Sequence, residues 1–292
     1  MLNILKHLLR RIGRRPLTII TTLLATSTLI ALILYHLLGY LLANNPRIVS
    51  PTFRRATSIL FVTAHPDDET LFFSPTLLYR EDDPGVEKSL LVLSSGNYDG
   101  VGSTRQSELK AACAVAGIKA SRCVGLDHFE LQDDPKKWWS EELIAEMVRE
   151  YVTRWGVDLI VTFDDGGISG HLNHRAVAGG VRKYIQTNPH SHHPAYALQT
   201  KSLLRKYAGL LDLIPTSIPF TWRIMGALFA SAPAQNAAGD TYGDHVLLVS
   251  PWGRYFQGRR AFRAHWSQYS WDRGFYLVFS RYMWMNDLRR IS

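Results

Sequence analysis

Apolar positions divide the chain into two regimes. From Leu17 to Ala43 no residue carries an ionisable side chain of note except His36, and at 1.5 Å per residue about twenty such positions cross a hydrocarbon core of about 30 Å. The run predicts a transmembrane helix, since the apolar region of a signal peptide is about 7 to 15 residues and ends in a small-residue cleavage site. Beyond a linker, 44–57, short apolar runs alternate with helix-periodic stretches. Strands are expected at Ser58–Thr63, Ser89–Ser94, Cys123–Leu126 and Asp158–Phe163, and helices at Glu69–Arg80, Thr104–Ala116, Ser140–Trp155 and His171–Thr187. Such βα alternation predicts an α/β fold: a Rossmann-like open, mainly parallel sheet with helices on both faces, plus the one N-terminal transmembrane helix. The last third is less regular, with a strand expected at Val246–Ser250 and an aromatic, arginine-containing helix from Arg259 towards Asn286. The expected organisation is a basic segment 1–16, an anchor 17–43, the linker, and one globular domain 58–292.

Charge adds an orientation. The net charge is +8, but Lys6, Arg10, Arg11, Arg14 and Arg15 contribute five positive charges ahead of the span. The remainder is nearly balanced, so the basicity belongs to a tail and nucleic acid is not an expected partner. Arg47, Arg54 and Arg55 follow the span, and the excess in front of it leans towards a cytoplasmic N-terminus. Cys113 and Cys123 form no CxxC pair and read as small apolar core residues in a reducing compartment.

Two clusters carry chemistry. The first expected strand ends abruptly in His65, Pro66, Asp67, Asp68 and Glu69, and ligands in open α/β sheets gather beyond the carboxyl ends of strands. Pro66 stiffens that exit. The second cluster, Phe163 to His174, leads from a strand end with Asp164 and Asp165 through Gly166, Gly167 and Gly170 to His171 and His174. Those histidines are three apart and share a helical face. Hydrolytic zinc sites use three protein ligands and leave a place for water, whereas His65, Asp67, Asp68, His171 and His174 offer five candidates. A hydrolase also needs a general base and an oxyanion donor. Asp67 and Asp68 divide between ligand and base, and spacing does not say which.

HPDDE with SGHLNH resembles the paired motifs of the zinc-dependent LmbE-like (PIG-L) de-N-acetylases. GNYDGVGSTRQSEL, TFDDGGISGHLNH, YALQTKSLLRKYAGLLDL and FSRYMWMN are similar to the branch of that family that acts on N-acetylglucosaminylphosphatidylinositol early in GPI-anchor synthesis. The resemblance covers most of Ile59 to Leu288. It implies Zn2+, or another divalent transition metal, on His65, Asp68 and His174, with Asp67 as general base and His171 stabilising the oxyanion. It implies a glycolipid substrate and a single-pass protein of the endoplasmic reticulum membrane with its catalytic domain in the cytosol. That placement opposes the charge lean, and the family is followed here. Asn173 and Asp164 could orient an imidazole or serve only as capping and solvated groups. Rival readings are deacetylation of another N-acetylglucosamine conjugate, or a catalytically silent lipid-binding subunit.

Substrate contacts are expected from Arg105 and Asp127. Ser103 to Gln106 reads as an SxxQ capping box, which puts Arg105 in a first helical turn suited to a phosphate or sugar hydroxyl; the resemblance likewise puts Arg105 near the polar head and Asp127 on a sugar hydroxyl. His190, His192 and His193 read as part of a Pro-rich polar loop rather than a metal site. Ile214 to Ala230 is too broken to span a bilayer and reads either as a core hairpin or as a flap that meets the membrane surface.

Overall fold

The computed structural model describes residues 16–188, 193–229 and 242–292; the basic segment up to Arg15 and the loop histidines His190 and His192 lie outside them. Seven strands form one sheet in the order β3-β2-β1-β4-β5-β7-β6. They are β1 (Ser58–Thr63), β2 (Glu87–Val92), β3 (Cys123–Gly125), β4 (Leu159–Phe163), β5 (Ala195–Leu198), β6 (His245–Val249) and β7 (Met285–Arg290). The first five are parallel, and β7 runs antiparallel to both of its neighbours. All six residues of β1 are buried, as a central strand covered on both faces requires. Leu60 lies opposite Ser89 on one side and Ile160 on the other. From β1 the chain moves outward through β2 and β3, then returns past β1 to β4. The strand order therefore reverses between β1 and β4, and a crevice opens at their carboxyl ends.

The longer helices are α1 (Pro16–His36), α2 (Gly102–Val115), α3 (Glu141–Trp155), α4 (Leu172–Thr187), α5 (Thr221–Phe229), α6 (Trp252–Phe262) and α7 (Trp271–Phe279). Ser140 caps α3 through Leu143 N, and Gly156 ends it with φ +57°. Helices α3 and α4 pack closely because Gly180 offers no side chain; a Cβ there would lie 2.3 Å from Ile144. The span Pro16–Leu41 has a mean hydropathy of 2.2 and is long and apolar enough to cross a membrane. Its outer face is exposed, yet Tyr35 is fully buried and packs edge-on against Trp252 and Trp284. The last turns of this helix thus belong to the core.

Several expectations need correction. The helix expected over 69–80 is two short turns, Asp68–Leu71 and Ser74–Leu77, because Pro75 lacks an N–H and begins a new turn. The C-terminal helix expected from Arg259 is broken into α6, a turn at Trp266–Gln268, α7 and a turn at Arg281–Trp284, and its end is strand β7. No capping box forms at Ser103: α2 starts at Gly102, whose N–H is taken by Asn97 Oδ1, and Gln106 Nε2 reaches the carbonyl of Gly125. Residues 214–229 are helical rather than a hairpin, with Phe220 buried and Ile218, Trp222 and Phe229 on the surface. Cys113 and Cys123 are joined in a disulfide, with Cα atoms 6.4 Å apart. The tight return from α2 to β3 brings them together, with Ile118 N bonded to Cys113 O. Cysteine usage consequently gives no support for a reducing compartment.

Candidate active site

The crevice between β1 and β4 collects the two histidine clusters. Past the end of β1, Asp68 folds its carboxylate back onto the strand exit, where Oδ2 accepts from Ala64 N at 3.1 Å and His65 N at 2.8 Å. The same carboxylate faces His174 Nε2 at 3.2 Å and His65 Nδ1 at 3.6 Å. The outer nitrogens of both rings are committed. His174 Nδ1 meets the carbonyl of Gly167 at 3.1 Å, which can only accept, so Nδ1 carries the proton. His65 Nε2 meets Asn173 Oδ1 at 3.1 Å and Asp133 Oδ1 at 3.2 Å. Asn173 is fixed in that orientation because its Nδ2 donates to Lys137 O. Both imidazoles therefore turn their inner nitrogens towards one carboxylate, and one ligand atom from each of His65, Asp68 and His174 lies within 4.8 Å of the others. This donor set, with outer N–H groups held by acceptors, fits a divalent transition metal.

Electrostatics match the packing. Burial alone would press His65 down, but Asp133 and Asp68 outweigh it and raise its pKa to about 10, which describes a pocket that demands positive charge. Burial would likewise raise Asp68, yet His174 and His65 hold it well below the ordinary carboxylate range. Asp67 goes the other way. Burial raises it, with Arg105 opposing, so it is a more basic carboxylate than its neighbour. His171 is lowered to about 4, first by burial and then by the charges of His174 and His65. It is neutral at pH 7, and its Nδ1 is buried with no hydrogen-bond partner.

Backbone strain sits at both clusters. Asp67 has φ 116° and Ile168 φ 65°, values that side chains other than glycine rarely adopt. The Asp67 N–H is tied to Glu69 Oε2 at 3.0 Å, and Glu69 is itself paired with the fully buried His265 at 2.6 Å. Ile168 N donates to Thr200 Oγ1 at 2.8 Å. Asp164 holds that loop through the N–H groups of Thr200 and Gly166, and none of its hydrogen bonds goes to an imidazole.

Arg105 lies within this site and is almost wholly buried. Its Nη1 donates to Gly96 O at 3.0 Å and its Nη2 to Pro66 O at 2.5 Å, with Asp67 Oδ1 at 3.5 Å and Asp133 Oδ2 at 3.7 Å. Asp127, at the end of β3, is exposed and accepts from Ser95 Oγ at 2.9 Å. The structure thus brings together His65, Asp67, Asp68, His171, His174, Asn173 and Arg105, while Asp164 organises the adjoining loop and Asp127 stands at the rim. Sequence reasoning missed Asp133 and His265. Neither lies on a periodic or motif position; the adjacent pair Asp133 and Asp134 before Pro135 was the only signal.

Residues 60–185 match the protein family PIG-L, GlcNAc-PI de-N-acetylase. The chain is 36% identical over 235 residues to the N-acetylglucosaminyl-phosphatidylinositol de-N-acetylase of Bos taurus, covering 78% of this chain and 81% of that one. It is 33% identical over 236 residues to a probable enzyme of the same name from Schizosaccharomyces pombe, covering 80% and 87%. Among solved structures, N,N'-diacetylchitobiose deacetylase from Pyrococcus horikoshii shares the fold, with a TM-score of 0.53 at 15% identity over 87% of this chain and 90% of that one. The sheet, its crevice and these relatives define a hydrolase of the de-N-acetylase class. More narrowly, the chain belongs to the PIG-L family of GlcNAc-PI de-N-acetylases, as its motifs led us to expect.

Proposed function

We propose that the protein hydrolyses the acetamide of N-acetylglucosaminylphosphatidylinositol, releasing acetate and leaving glucosaminylphosphatidylinositol, an early step of GPI-anchor synthesis. The observation that carries the reading is the meeting of a three-ligand His/Asp cluster with a strained, buried Asp67 and a His171 whose buried Nδ1 has no hydrogen-bond partner among the described residues, in one crevice of this family's fold. His65, Asp68 and His174 would hold Zn2+ or another divalent transition metal, which supplies Lewis acidity and acidifies the attacking water. Asp67 takes a proton from the attacking water as its oxygen bonds to the carbonyl carbon, and then returns that proton to the amine nitrogen as the C–N bond breaks. His171, neutral at physiological pH, donates towards the developing oxyanion. Asn173 fixes the His65 ring. Arg105 and Asp127 contact the sugar head, and the charge of Arg105 opposes the burial that raises Asp67.

The chain spans the endoplasmic reticulum membrane once, through 17–43. Residues 1–16 are a basic flank, 44–57 a linker, and 58–292 the catalytic domain, placed on the cytosolic side by the family resemblance alone, against the charge lean and without support from its disulfide-bonded cysteines. Full-length protein in detergent should contain about one zinc per chain and release acetate from the synthetic glycolipid. Release from soluble N-acetylglucosamine conjugates at equal or higher kcat/KM would overturn the substrate assignment, and a zinc-loaded protein inert towards all of them would overturn the activity.

A further inference from the structure

Two cations near the crevice have no use in the scheme above. Lys206 ends the short helix Leu203–Lys206 and is 9% exposed. Its ammonium donates to Ser169 Oγ at 2.6 Å, two residues before His171, and lies 5.6 and 5.7 Å from the ring centres of Tyr207 and Tyr276. Arg273 stands on α7, one turn before Tyr276, so its side chain shares that helix face. Its charge acts on Lys206 and on Asp67 alike. Among the described residues neither cation forms an ion pair, although a buried ammonium ordinarily has one.

The surroundings give the missing anion a direction. Outside the crevice the same two helices expose apolar side chains: Leu203 and Leu204 on one, and Trp271, Phe275 and Phe279, spaced four apart, on the other. A pair of partly desolvated cations therefore sits between a polar reaction centre and an apolar outer rim. A glycolipid has that order of parts, a sugar amide, then a phosphodiester, then acyl chains.

We infer that Lys206 and Arg273 form the subsite for the substrate's phosphodiester, with the apolar faces of their helices entering the membrane surface beside it. The inference rests on the glycolipid reading above and adds which side chains read its phosphate. Burial and the charge of Arg273 press the Lys206 ammonium below its ordinary pKa, a cost that a bound anion removes. Ser169 then links phosphate recognition to the loop that carries His171.

The test uses full-length protein in detergent with short-chain N-acetylglucosaminylphosphatidylinositol and with an analogue in which an uncharged linker replaces the phosphodiester. Binding is measured by calorimetry and acetate release in parallel. Lys206→Met and Arg273→Gln should each lower the preference for the phosphodiester over the analogue by about tenfold or more, in Kd and in KM rather than kcat, as expected for a charge-assisted contact. Lys206→Arg should restore the preference. Equal losses on both ligands in variants with wild-type melting temperature would make the pair structural and overturn the subsite. Inorganic phosphate competing as tightly as the short-chain lipid would assign the site to free phosphate and overturn the lipid source. If wild type binds the lipid with the stated preference but releases no acetate from either compound, the deacetylase reading fails while the subsite stands.

Discussion

Asp68→Ala removes the acceptor for two buried backbone donors, Ala64 N and His65 N, together with the carboxylate that faces His174 and His65. An unsatisfied buried donor costs about 1–3 kcal/mol, so the pair costs about 2–6 kcal/mol before any metal is considered. Against a typical stability of about 5–15 kcal/mol that is a large fraction, and it should lower the melting temperature by about 5 to 20 °C. The remaining imidazoles cannot by themselves make a three-ligand site. Asp67→Asn is the matched control, because its backbone N–H stays on Glu69 and, among the described residues, its carboxylate is ion-paired with Arg105 at 3.5 Å. It should melt near wild type and keep metal, yet lose about 10² to 10⁴ in rate, since an amide cannot take the proton from water. Zinc content by atomic absorption, a thermal melt and acetate release on both purified variants decide the matter. A metal-free Asp67→Asn, or an Asp68→Ala that keeps full zinc and merely slows, would refute the assignment of ligand and base.

Arg105→Ala should raise KM more than it lowers kcat and should also reduce thermal stability, because Asp67 and Asp133 lose the guanidinium between them; a collapsed kcat with unchanged KM would place Arg105 at the chemistry instead. Gly96→Ala should destabilise by about 1 kcal/mol or more, since its φ is +67° and a Cβ would lie 2.6 Å from Arg105 Cζ; an unchanged melting temperature would show that Arg105 moves freely. Removing Met1 to Asn44 should leave acetate release from a short-chain analogue intact but melt below a chain begun at Ile33, which keeps Tyr35 against Trp252 and Trp284. Burial would raise Asp287, but His245 and Lys201 outweigh it and hold it below the ordinary carboxylate range. Its folded pKa is thus below its unfolded one, so its contribution is complete above about pH 4 and fades as pH falls further. Asp287→Asn should therefore flatten the acid limb of a plot of melting temperature against pH.

Strands β1 and β4 were legible because a central strand buried on both faces writes itself as a largely apolar run, whereas β2 begins two residues before the expected Ser89 because its first residues, Glu87 and Lys88, are charged. Helix α3 was legible for the opposite reason, its Ser140 cap and terminal Gly156 being local signals. Strand β7 hid because its buried residues include Asn286 and Asp287, whose polarity is satisfied at a distance by Thr76, Lys201 and His245. The metal-type residues could be named by resemblance and Asn173 as a group able to orient an imidazole, but Asp133 and His265 could not. Asp133 reaches His65 from a loop well downstream of it, and His265 reaches Glu69 from the far side of the chain. The disulfide escaped for the same reason, since it answers to a turn between helix and strand and not to a motif.

The left-handed backbone of Asp67 sets a direction for change in this protein. Glycine would occupy φ 116° without strain, so the substitution that relaxes the fold at this point is also one that removes the carboxylate from the crevice. A population of variants screened only for heat resistance would drift towards glycine at 67 and arrive at robust, inert protein. A screen that demands acetate release would hold the aspartate and gather its compensating changes elsewhere, first around Glu69 and His265, whose bond to the Asp67 N–H keeps that conformation in place.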